Sequence, residues 1–302
     1  MKKINNPIYH ELKKLKLIKD KNLIKISNTT RDKKISVYQD RKSSIIFLEK
    51  YLTSQKYYSN VKYGNSPNKS FSNIPLKNIN KVIALAGLDD DKRRALQFKK
   101  EIKNKKVLDF GCGWGKFLNF IKKDASKVYG VELRNECIKH INKNYKNIPV
   151  FKNIEEINEK FDVITIFHVL EHMPHQVETI KILKKFLKPS GKLIIEVPHA
   201  RDFLLSFEKL KEFKKFTFWS EHLILHTEMS LKKILELTKF NNLKIIYYQR
   251  YNFINHLGWF INRKPGGHDF FNFLYNKKLN QSYIKYLENQ KTTDTIIFVA
   301  RR

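Results

Sequence analysis

The sequence contains few cysteines and no long apolar run. Cys112 and Cys137 are the only cysteines among 302 residues, and neither has the spacing of a metal ligand. No stretch of about 18 consecutive apolar residues occurs, which predicts that no segment spans a membrane. Residues 1–7 lack the apolar segment of a secretory signal. Together these absences predict a reduced, cytoplasmic setting.

Acidic side chains are also scarce. The chain has 29 Asp and Glu against 60 Lys and Arg, so its formal charge is +31, and such an excess is typical of proteins that bind nucleic acid. Arginine, the better ligand for phosphates and base edges, accounts for only 10 of the basic residues. The lysines are spread along the whole chain. Two interpretations therefore stay open: a compositional bias, or a polyanionic partner such as RNA or a nucleotide-linked substrate.

Residues 1–90 are predicted to form a small N-terminal lobe. Two short β-forming runs within residues 35–48 flank a polar turn and predict a hairpin. The stretch 64–75 is rich in Asn, Ser and Pro, which predicts a loop. Apolar residues at helical spacing among charges predict an amphipathic helix over 89–103, which leads into the first core strand. The main domain is predicted to comprise residues 91–302.

From residue 105 onward, short apolar runs alternate with amphipathic segments. The predicted strands are 107–110, 128–132, 150–151, 161–167, 192–198, 243–248 and 294–300, and the predicted helices are 116–123, 135–145, 176–187 and 230–240. This alternation predicts an α/β fold with a parallel, doubly wound sheet. The stretch 252–292 is long and aromatic, and connections of that length are usually functional.

Three glycines follow the first strand of this domain, directly after an aspartate. They are Gly111, Gly113 and Gly115. Their spacing puts Lys116 where the dinucleotide motif needs its third glycine, which disfavours NAD or FAD. Asp109 suits a ligand that carries a sulfonium and an α-amino group. Glu132, at the end of the next strand, can accept hydrogen bonds from both ribose hydroxyls. The loop therefore predicts a site for S-adenosylmethionine (SAM).

Four segments occur in a characteristic order, at 107–118, 131–132, 161–174 and 187–198. Over about residues 95–302 the chain resembles the class I SAM-dependent methyltransferases. More narrowly, it resembles the bacterial branch with ubiquinone-biosynthesis-type O-methyltransferases and sugar methyltransferases. The resemblance implies a Rossmann-like, doubly wound, seven-stranded, mostly parallel sheet with SAM as cofactor. The implied contacts are Asp109, Gly111, Gly113 and Gly115 for the methionine part, Glu132 for the ribose, Asn153 for the adenine, and Phe167 and His168 for the sulfonium.

A second segment, Phe218-Trp-Ser-Glu221-His222, resembles the Glu-His segment of sugar C-methyltransferases and their polysaccharide-locus relatives. The resemblance implies that His222 is the base at the acceptor, with Glu221 beside it. His168 and His226 are the other candidate bases, and a purely structural role for His222 stays open. Many such relatives bind zinc through cysteines in the N-terminal lobe. Residues 1–100 contain no cysteine, so this lobe must hold together without that metal.

His168-Val-Leu-Glu171-His172 formally matches a metallopeptidase pattern. Zinc would need these ligands on a helix and a third ligand elsewhere, whereas the segment leaves a buried strand and meets Pro174. We therefore predict no metal site.

Nucleic-acid methylation is the main competing function. The Pro-Pro motif of adenine and cytosine amino-methyltransferases is missing after the strand at 161–167, where Phe167 and His168 stand instead. The two cysteines lie in the cofactor loop and in a predicted helix, away from the position of a C5-cytosine nucleophile. An RNA methyltransferase stays open on charge alone, and a non-catalytic SAM-binding subunit is a further alternative.

The predicted function is methyl transfer to a small polar acceptor, a sugar or nucleotide-linked sugar for a surface polysaccharide. We expect residues 252–292 to form a lid over that acceptor. Trp259 would stack on the sugar or base, and Gly266 and Gly267 would act as a hinge. The alternative for this stretch is a hydrophobic contact in a homodimer.

Overall fold

The computed structural model describes residues 4–52 and 88–302, so the predicted loop at 64–75 lies outside the described residues. The chain forms two compact units. One comprises Met1–Leu52, Leu170–Lys181 and Ile195–Ala300, and the other comprises Thr53–Val169, Ile182–Ile194 and Arg301–Arg302. The boundary near residue 90 between a lobe and a main domain stays a prediction.

Helices and strands are numbered here over the described residues. The helices are α1 (Pro7–Lys14), α2 (Leu88–Gln97), α3 (Lys99–Ile102), α4 (Lys116–Ile121), α5 (Asn135–Asn144), α6 (Gln176–Phe186), α7 (Lys211–Thr217), α8 (Glu228–Leu237), α9 (Phe253–Asn262), α10 (Gly267–Phe271) and α11 (Lys277–Asn289). The strands are β1 (Leu23–Ser27), β2 (Val37–Asp40), β3 (Ile46–Leu48), β4 (Lys106–Phe110), β5 (Lys127–Val131), β6 (Val150–Phe151), β7 (Phe161–Phe167), β8 (Leu187–Pro198), β9 (Ile224–Leu225), β10 (Asn241–Tyr248) and β11 (Thr295–Arg301). Within the described ranges, no helix is both long and apolar enough to cross a bilayer.

Seven strands form the main sheet, in the order β10-β11-β8-β7-β4-β5-β6. The pairs β4–β5, β4–β7 and β5–β6 are parallel. This order confirms the predicted doubly wound α/β fold, because the chain starts in the middle of the sheet at β4 and adds strands on both sides. Strand β8 begins at Leu187, five residues before the strand predicted at 192–198, and Ser190 within it has a positive φ of 61°.

The predicted hairpin at 35–48 is confirmed as the antiparallel pair β2–β3. It belongs to a second sheet with the order β1-β2-β3-β9. Strand β9 comes from near residue 225 and pairs antiparallel with β3. Apolar side chains from residues 35–48 and from residues 200–225 form a common core with this sheet. These are Ile35, Val37, Ile46, Leu48, Ala200, Phe218 and Leu225.

Helix α8 begins at Glu228, two residues before the helix predicted over 230–240. Thr227 is its N-cap, and Ser230 is the third helical residue. The two side chains form a capping box, in which Thr227 Oγ1 accepts from the Ser230 amide and Ser230 Oγ accepts from the Thr227 amide. Both residue types are good caps, so the sequence pattern did not identify which of them starts the helix.

Candidate functional site

The turn between β4 and α4 has the backbone geometry that its glycines were expected to provide. Gly111, Gly113 and Gly115 have φ angles of 80°, 52° and 73°, a region that residues with a Cβ rarely adopt. A Cβ built on Gly111 would lie 2.3 Å from Cγ2 of Val169. The amides of Gly111 and Cys112 both donate to the carbonyl of Val131, at 2.8 and 3.0 Å. The loop is therefore fixed against the end of β5.

Asp109 is buried at the start of this turn, with 4% of its surface exposed. Its Oδ1 accepts a hydrogen bond of 2.7 Å from the hydroxyl of Thr165 on β7. Burial raises its pKa from the usual 3.8 to about 7, while the Thr165 bond opposes that rise. A buried carboxylate held in this way favours a cationic partner, because a positive charge restores the interaction that it lost with water.

Helix α2 contributes two charged residues that the sequence analysis did not select. Arg94 is 8% exposed and forms an ion pair with Asp91, with 3.2 Å between Nη1 and Oδ1. The charge of Asp91 raises the pKa of Asp109, and the charge of Arg94 lowers it. The amphipathic pattern predicted helix α2, but only the tertiary structure shows which of its charges approach Asp109.

Glu132 follows β5 and holds the glycine loop through hydrogen bonds. Its Oε2 accepts from the Gly113 amide at 2.8 Å, and its Oε1 accepts from the amide and Nε of Arg134 at 2.9 and 3.2 Å. A carboxylate has about four lone-pair directions, so these three bonds leave room for a ribose hydroxyl. The ribose contact stays a prediction, and the structure adds a loop-positioning role.

The two residues predicted beside the sulfonium differ in their surroundings. Phe167 packs on Phe98 and Phe117, with ring centroids 6.0 and 5.1 Å apart, and the Arg94 guanidinium lies 4.8 Å from its ring centre. His168 has a φ of 52°, which is uncommon for a residue other than glycine. Such strain is frequent at functional sites. The sulfonium contacts of both residues stay predictions.

Asn153, the residue predicted beside the adenine, is exposed and caps the short 3-10 helix Ile154–Glu156. Its Nδ2 donates to Oε1 of Glu156 at 3.1 Å. Part of its hydrogen-bonding capacity is therefore used locally, and the adenine contact stays a prediction.

In the other compact unit, Glu171, His172 and His222 form a cluster. One ligand atom from each lies within 4.8 Å of the other two. Nε2 of His172 is 3.9 Å from Oε1 of Glu171, and the rings of His172 and His222 meet edge to face at 4.9 Å. Glu171 is fully buried, and both histidines are partly accessible. We predicted no metal because zinc would need its ligands on a helix and a third ligand elsewhere. Leu170–His172 is a 3-10 helix, and His222 lies beside it.

Residues near the N-terminus hold the segment that carries Glu221 and His222. The Ser220 amide and hydroxyl both donate to the carboxylate of Asp32, the amide at 3.1 Å. The Arg31 amide donates to the Phe218 carbonyl at 2.7 Å. Sequence reasoning missed these contacts because they join residues almost 190 positions apart. They fix the segment against Arg31 and Asp32.

The insert 252–292 consists mainly of the helices α9, α10 and α11. Trp259 is only 3% exposed, and its ring packs against Phe213 and Phe216 at centroid distances of 5.1 and 5.0 Å. The expectation that this indole stacks on a substrate is therefore wrong. Its large apolar surface is more stable inside the cluster with α7 than in water.

The glycines of the insert allow two helices to approach closely. A Cβ on Gly258 would lie 2.5 Å from the Cα of Gly267, and a Cβ on Gly267 would lie 2.2 Å from the Ile254 carbonyl oxygen. Close packing of α9 on α10 thus accounts for Gly267. A hinge at Gly266 and Gly267 stays a prediction.

A cavity of about 580 Å³ lies in the unit that contains the lobe. Six basic side chains and two acidic ones line it. The basic residues are Lys16, Lys42, Arg201, Lys232, Lys233 and Lys291. Of the two acids, Glu228 bonds Tyr247 and Lys291, and Glu236 is the other. The excess of positive charge makes the cavity suitable for an anionic ligand.

The methyltransferase domain family model (Methyltransf_23) matches residues 82–245, which is more than half of the chain. Among curated proteins, the chain is similar to ubiquinone biosynthesis O-methyltransferases. It is 33% identical to that of Actinobacillus pleuropneumoniae serotype 5b over 102 residues, covering 30% of this chain and 44% of the relative. It is 31% identical to that of Nitrosospira multiformis over 134 residues, covering 41% of this chain and 52% of the relative. The chain thus spans about half the length of these relatives.

Among solved structures, the fold is similar to that of a SAM-dependent methyltransferase from Archaeoglobus fulgidus. The TM-score is 0.52 at 18% identity, with 76% of this chain and all of the other chain covered. The buried Asp109, the glycine turn and Glu132 fit the charges and hydroxyls of SAM. The chain therefore belongs to the methyltransferase domain family, with the class I fold and with SAM as its cofactor.

Proposed function

We propose that this chain transfers a methyl group from SAM to a small polar acceptor, and that the acceptor is a sugar or a nucleotide-linked sugar. The methyl-transfer part rests on the family and on the buried Asp109 in its glycine turn. The choice of acceptor rests on the resemblance of the segment around His222 to sugar methyltransferases and on the basic cavity. A cytoplasmic location and a homodimer stay predictions from the sequence.

When bound, SAM supplies a methyl group on a positively charged sulfur, ready for in-line displacement. The chain has to bind the cofactor, align it with the acceptor and exclude water. We assign the first task to Asp109, which faces the positive charge, and to Glu132, which holds both the loop and the ribose. The glycines with positive φ let the backbone approach the cofactor without a Cβ between them.

A hydroxyl or a carbon acid has to lose a proton before it attacks the methyl group. Histidine is the usual proton acceptor, because its pKa lies near neutral. We propose that proton removal depends on His222, with Glu221 beside it, and that Asp32 positions their segment through Ser220. His168 is the second candidate, since its strained backbone is typical of functional residues.

The basic cavity supports an acceptor with negative charge. Lys232 and Lys233 lie on α8, whose N-terminus also lines the cavity through Thr227 and Glu228. Lysine and arginine side chains bind a diphosphate through charge-assisted hydrogen bonds. A nucleotide-linked sugar carries such a group, whereas a free sugar does not.

Methyl transfer from labelled SAM to a panel of nucleotide-linked sugars, free sugars and total RNA tests the proposal. We expect label in at least one nucleotide-linked sugar and none in RNA. Label in RNA alone would establish the RNA alternative. Tight SAM binding with no label in any acceptor, and no methylated product in the producing cells, would favour a non-catalytic subunit.

Charge reversal tests the role of the cavity. The double variant Lys232→Glu, Lys233→Glu should raise KM for a nucleotide-linked sugar by about tenfold or more and leave SAM affinity unchanged. Lys143→Glu, an exposed residue of α5 that does not line the cavity, is the matched control. Equal KM values for both variants would remove the cavity from the proposal.

A further inference from the structure

We propose that Glu171, His172 and His222 bind a divalent transition-metal ion, and that this ion holds and acidifies the acceptor oxygen. The second part rests on the proposed function, but the metal site itself does not. This proposal revises the prediction of no metal, and it makes His222 a ligand instead of a direct base.

The geometry of the cluster is close to that of a metal site. Metal–ligand bonds of about 2.0–2.2 Å place neighbouring ligand atoms roughly 3–4 Å apart. The three ligand atoms of the cluster lie within 4.8 Å of one another, and Nε2 of His172 is already 3.9 Å from Oε1 of Glu171. Small rotations of the partly accessible His172 and His222 side chains would bring the set to bonding distance.

The chemistry of the donors is that of a catalytic metal site. Two imidazoles and one carboxylate are a common ligand set for zinc and for non-haem iron, with positions left open for substrate. Glu171 is fully buried, so a bound cation would offset the loss of its contact with water. The partial accessibility of the two histidines leaves a path for an acceptor to reach the ion.

Backbone contacts already fix the ligands relative to one another. The Leu223 amide donates to the Glu171 carbonyl at 2.9 Å, so His222 is held next to the 3-10 helix that carries the other two ligands. Asn6, which is fully buried in the lobe, donates through Nδ2 to the Leu223 carbonyl at 3.3 Å. Ligands that are already held in place lose less conformational entropy when they bind the ion.

A third histidine lies close to the cluster. His226 is fully buried, and its Nε2 has no hydrogen-bond partner among the described residues. The charge of Glu171 acts on its imidazole, and its Nδ1 lies 3.0 Å from Oγ of Ser230. Nε2 is therefore the nitrogen of His226 that could reach an ion.

The ion would contribute to methyl transfer by lowering the pKa of an acceptor hydroxyl that it holds. The hydroxyl proton leaves to solvent or buffer, and a bond forms between the acceptor oxygen and the methyl carbon. The carbon–sulfur bond breaks, its electron pair stays on the sulfur, and S-adenosylhomocysteine is released. The ion is neither oxidised nor reduced.

Direct binding measurements test the site without relying on activity. The full chain is stripped with a chelator and titrated with Zn²⁺ by calorimetry and with Mn²⁺ by electron paramagnetic resonance. We expect one ion per chain. His172→Ala and His222→Ala should each weaken the binding by about tenfold or more, and the exposed neighbour His175→Ala should not. Thermal melting and SAM titration of each variant verify that it is folded.

The outcomes separate this proposal from the proposed function. Absence of binding, or equal binding by His172→Ala, His222→Ala and His175→Ala, overturns the metal site. If methyl transfer persists in chelator yet is lost in His222→Ala, His222 acts as a direct base and only the metal proposal fails. If the ion binds at this site but no acceptor is methylated, the metal site stands and the proposed function fails.

Discussion

Replacing Asp109 by Asn should make the cofactor-free chain more stable and the cofactor complex much weaker. The pKa of Asp109 is about 7 in the folded chain, because the side chain is buried, against 3.8 ordinarily. In the unfolded chain the carboxyl therefore loses its proton at a lower pH than in the folded chain. The free energy of unfolding falls as the pH rises from 3.8 to about 7. Above about pH 7 the buried, ionised Asp109 destabilises the folded chain by the full amount.

The size of this cost follows from the pKa difference. A rise from 3.8 to about 7, at about 1.4 kcal/mol per unit, corresponds to an upper limit of about 4 kcal/mol. Asn is nearly the same size and can still accept the hydrogen bond from Thr165. Asp109→Asn should therefore be more stable than the natural chain above pH 7, and the two should converge near pH 4.

Urea denaturation at both pH values measures the difference, with Asp124→Asn, at a partly exposed ion pair with Lys99, as the control. SAM titration by calorimetry measures the second effect. Loss of one partner of a buried charge pair costs roughly 3–5 kcal/mol, so we expect SAM affinity to fall by about a hundredfold or more. An Asp109→Asn chain that is less stable above pH 7, or that binds SAM normally, would refute the assignment of Asp109 as the charge partner.

Three further substitutions test separate parts of the structure. Gly111→Ala should abolish SAM binding, since its Cβ would lie 2.3 Å from a Val169 side-chain atom. The Cβ of Gly113→Ala would meet nothing closer than 3.5 Å, so this variant should weaken SAM binding less. Equal losses of SAM affinity would contradict the close contact at Gly111. Asp32→Ala should lower kcat with SAM affinity unchanged, because it releases Ser220 beside Glu221. The control is Asp20→Ala, which removes an exposed ion pair. Equal kcat values for the two variants would exclude the positioning role of Asp32. Trp259→Ala should lower the free energy of unfolding by about 3–5 kcal/mol in a denaturation experiment. Phe273→Ala, at a side chain that is 81% exposed, should leave it unchanged. A changed KM of Trp259→Ala with unchanged stability would restore a stacking role for the indole.

The central strands and the cofactor loop could be predicted because local sequence determines them. Buried parallel strands appear as short apolar runs, and three glycines after Asp109 indicate a turn that needs positive φ. All three glycines have such angles, and β4, β5 and β7 begin and end within a residue of their predicted positions.

Contacts between distant residues could not be predicted in the same way. Ser220 donates a hydrogen bond directly to Asp32, and the Leu223 amide, next to His222, donates to the Glu171 carbonyl. Neither contact leaves a periodic pattern in the sequence. The error at Trp259 has a related cause. An aromatic residue in a long insert has the same local sequence signature whether it packs in a core or faces a ligand.

We propose that the chain catalyses methyl transfer to a nucleotide-linked sugar. Mass spectrometry of a reaction with the full chain, SAM and one such sugar at a time tests it most directly. We expect one acceptor to gain a single methyl group, with an equal amount of S-adenosylhomocysteine, and neither product to form with His222→Ala. Methyl groups found only in RNA, or full activity towards the sugar in His222→Ala, would contradict it.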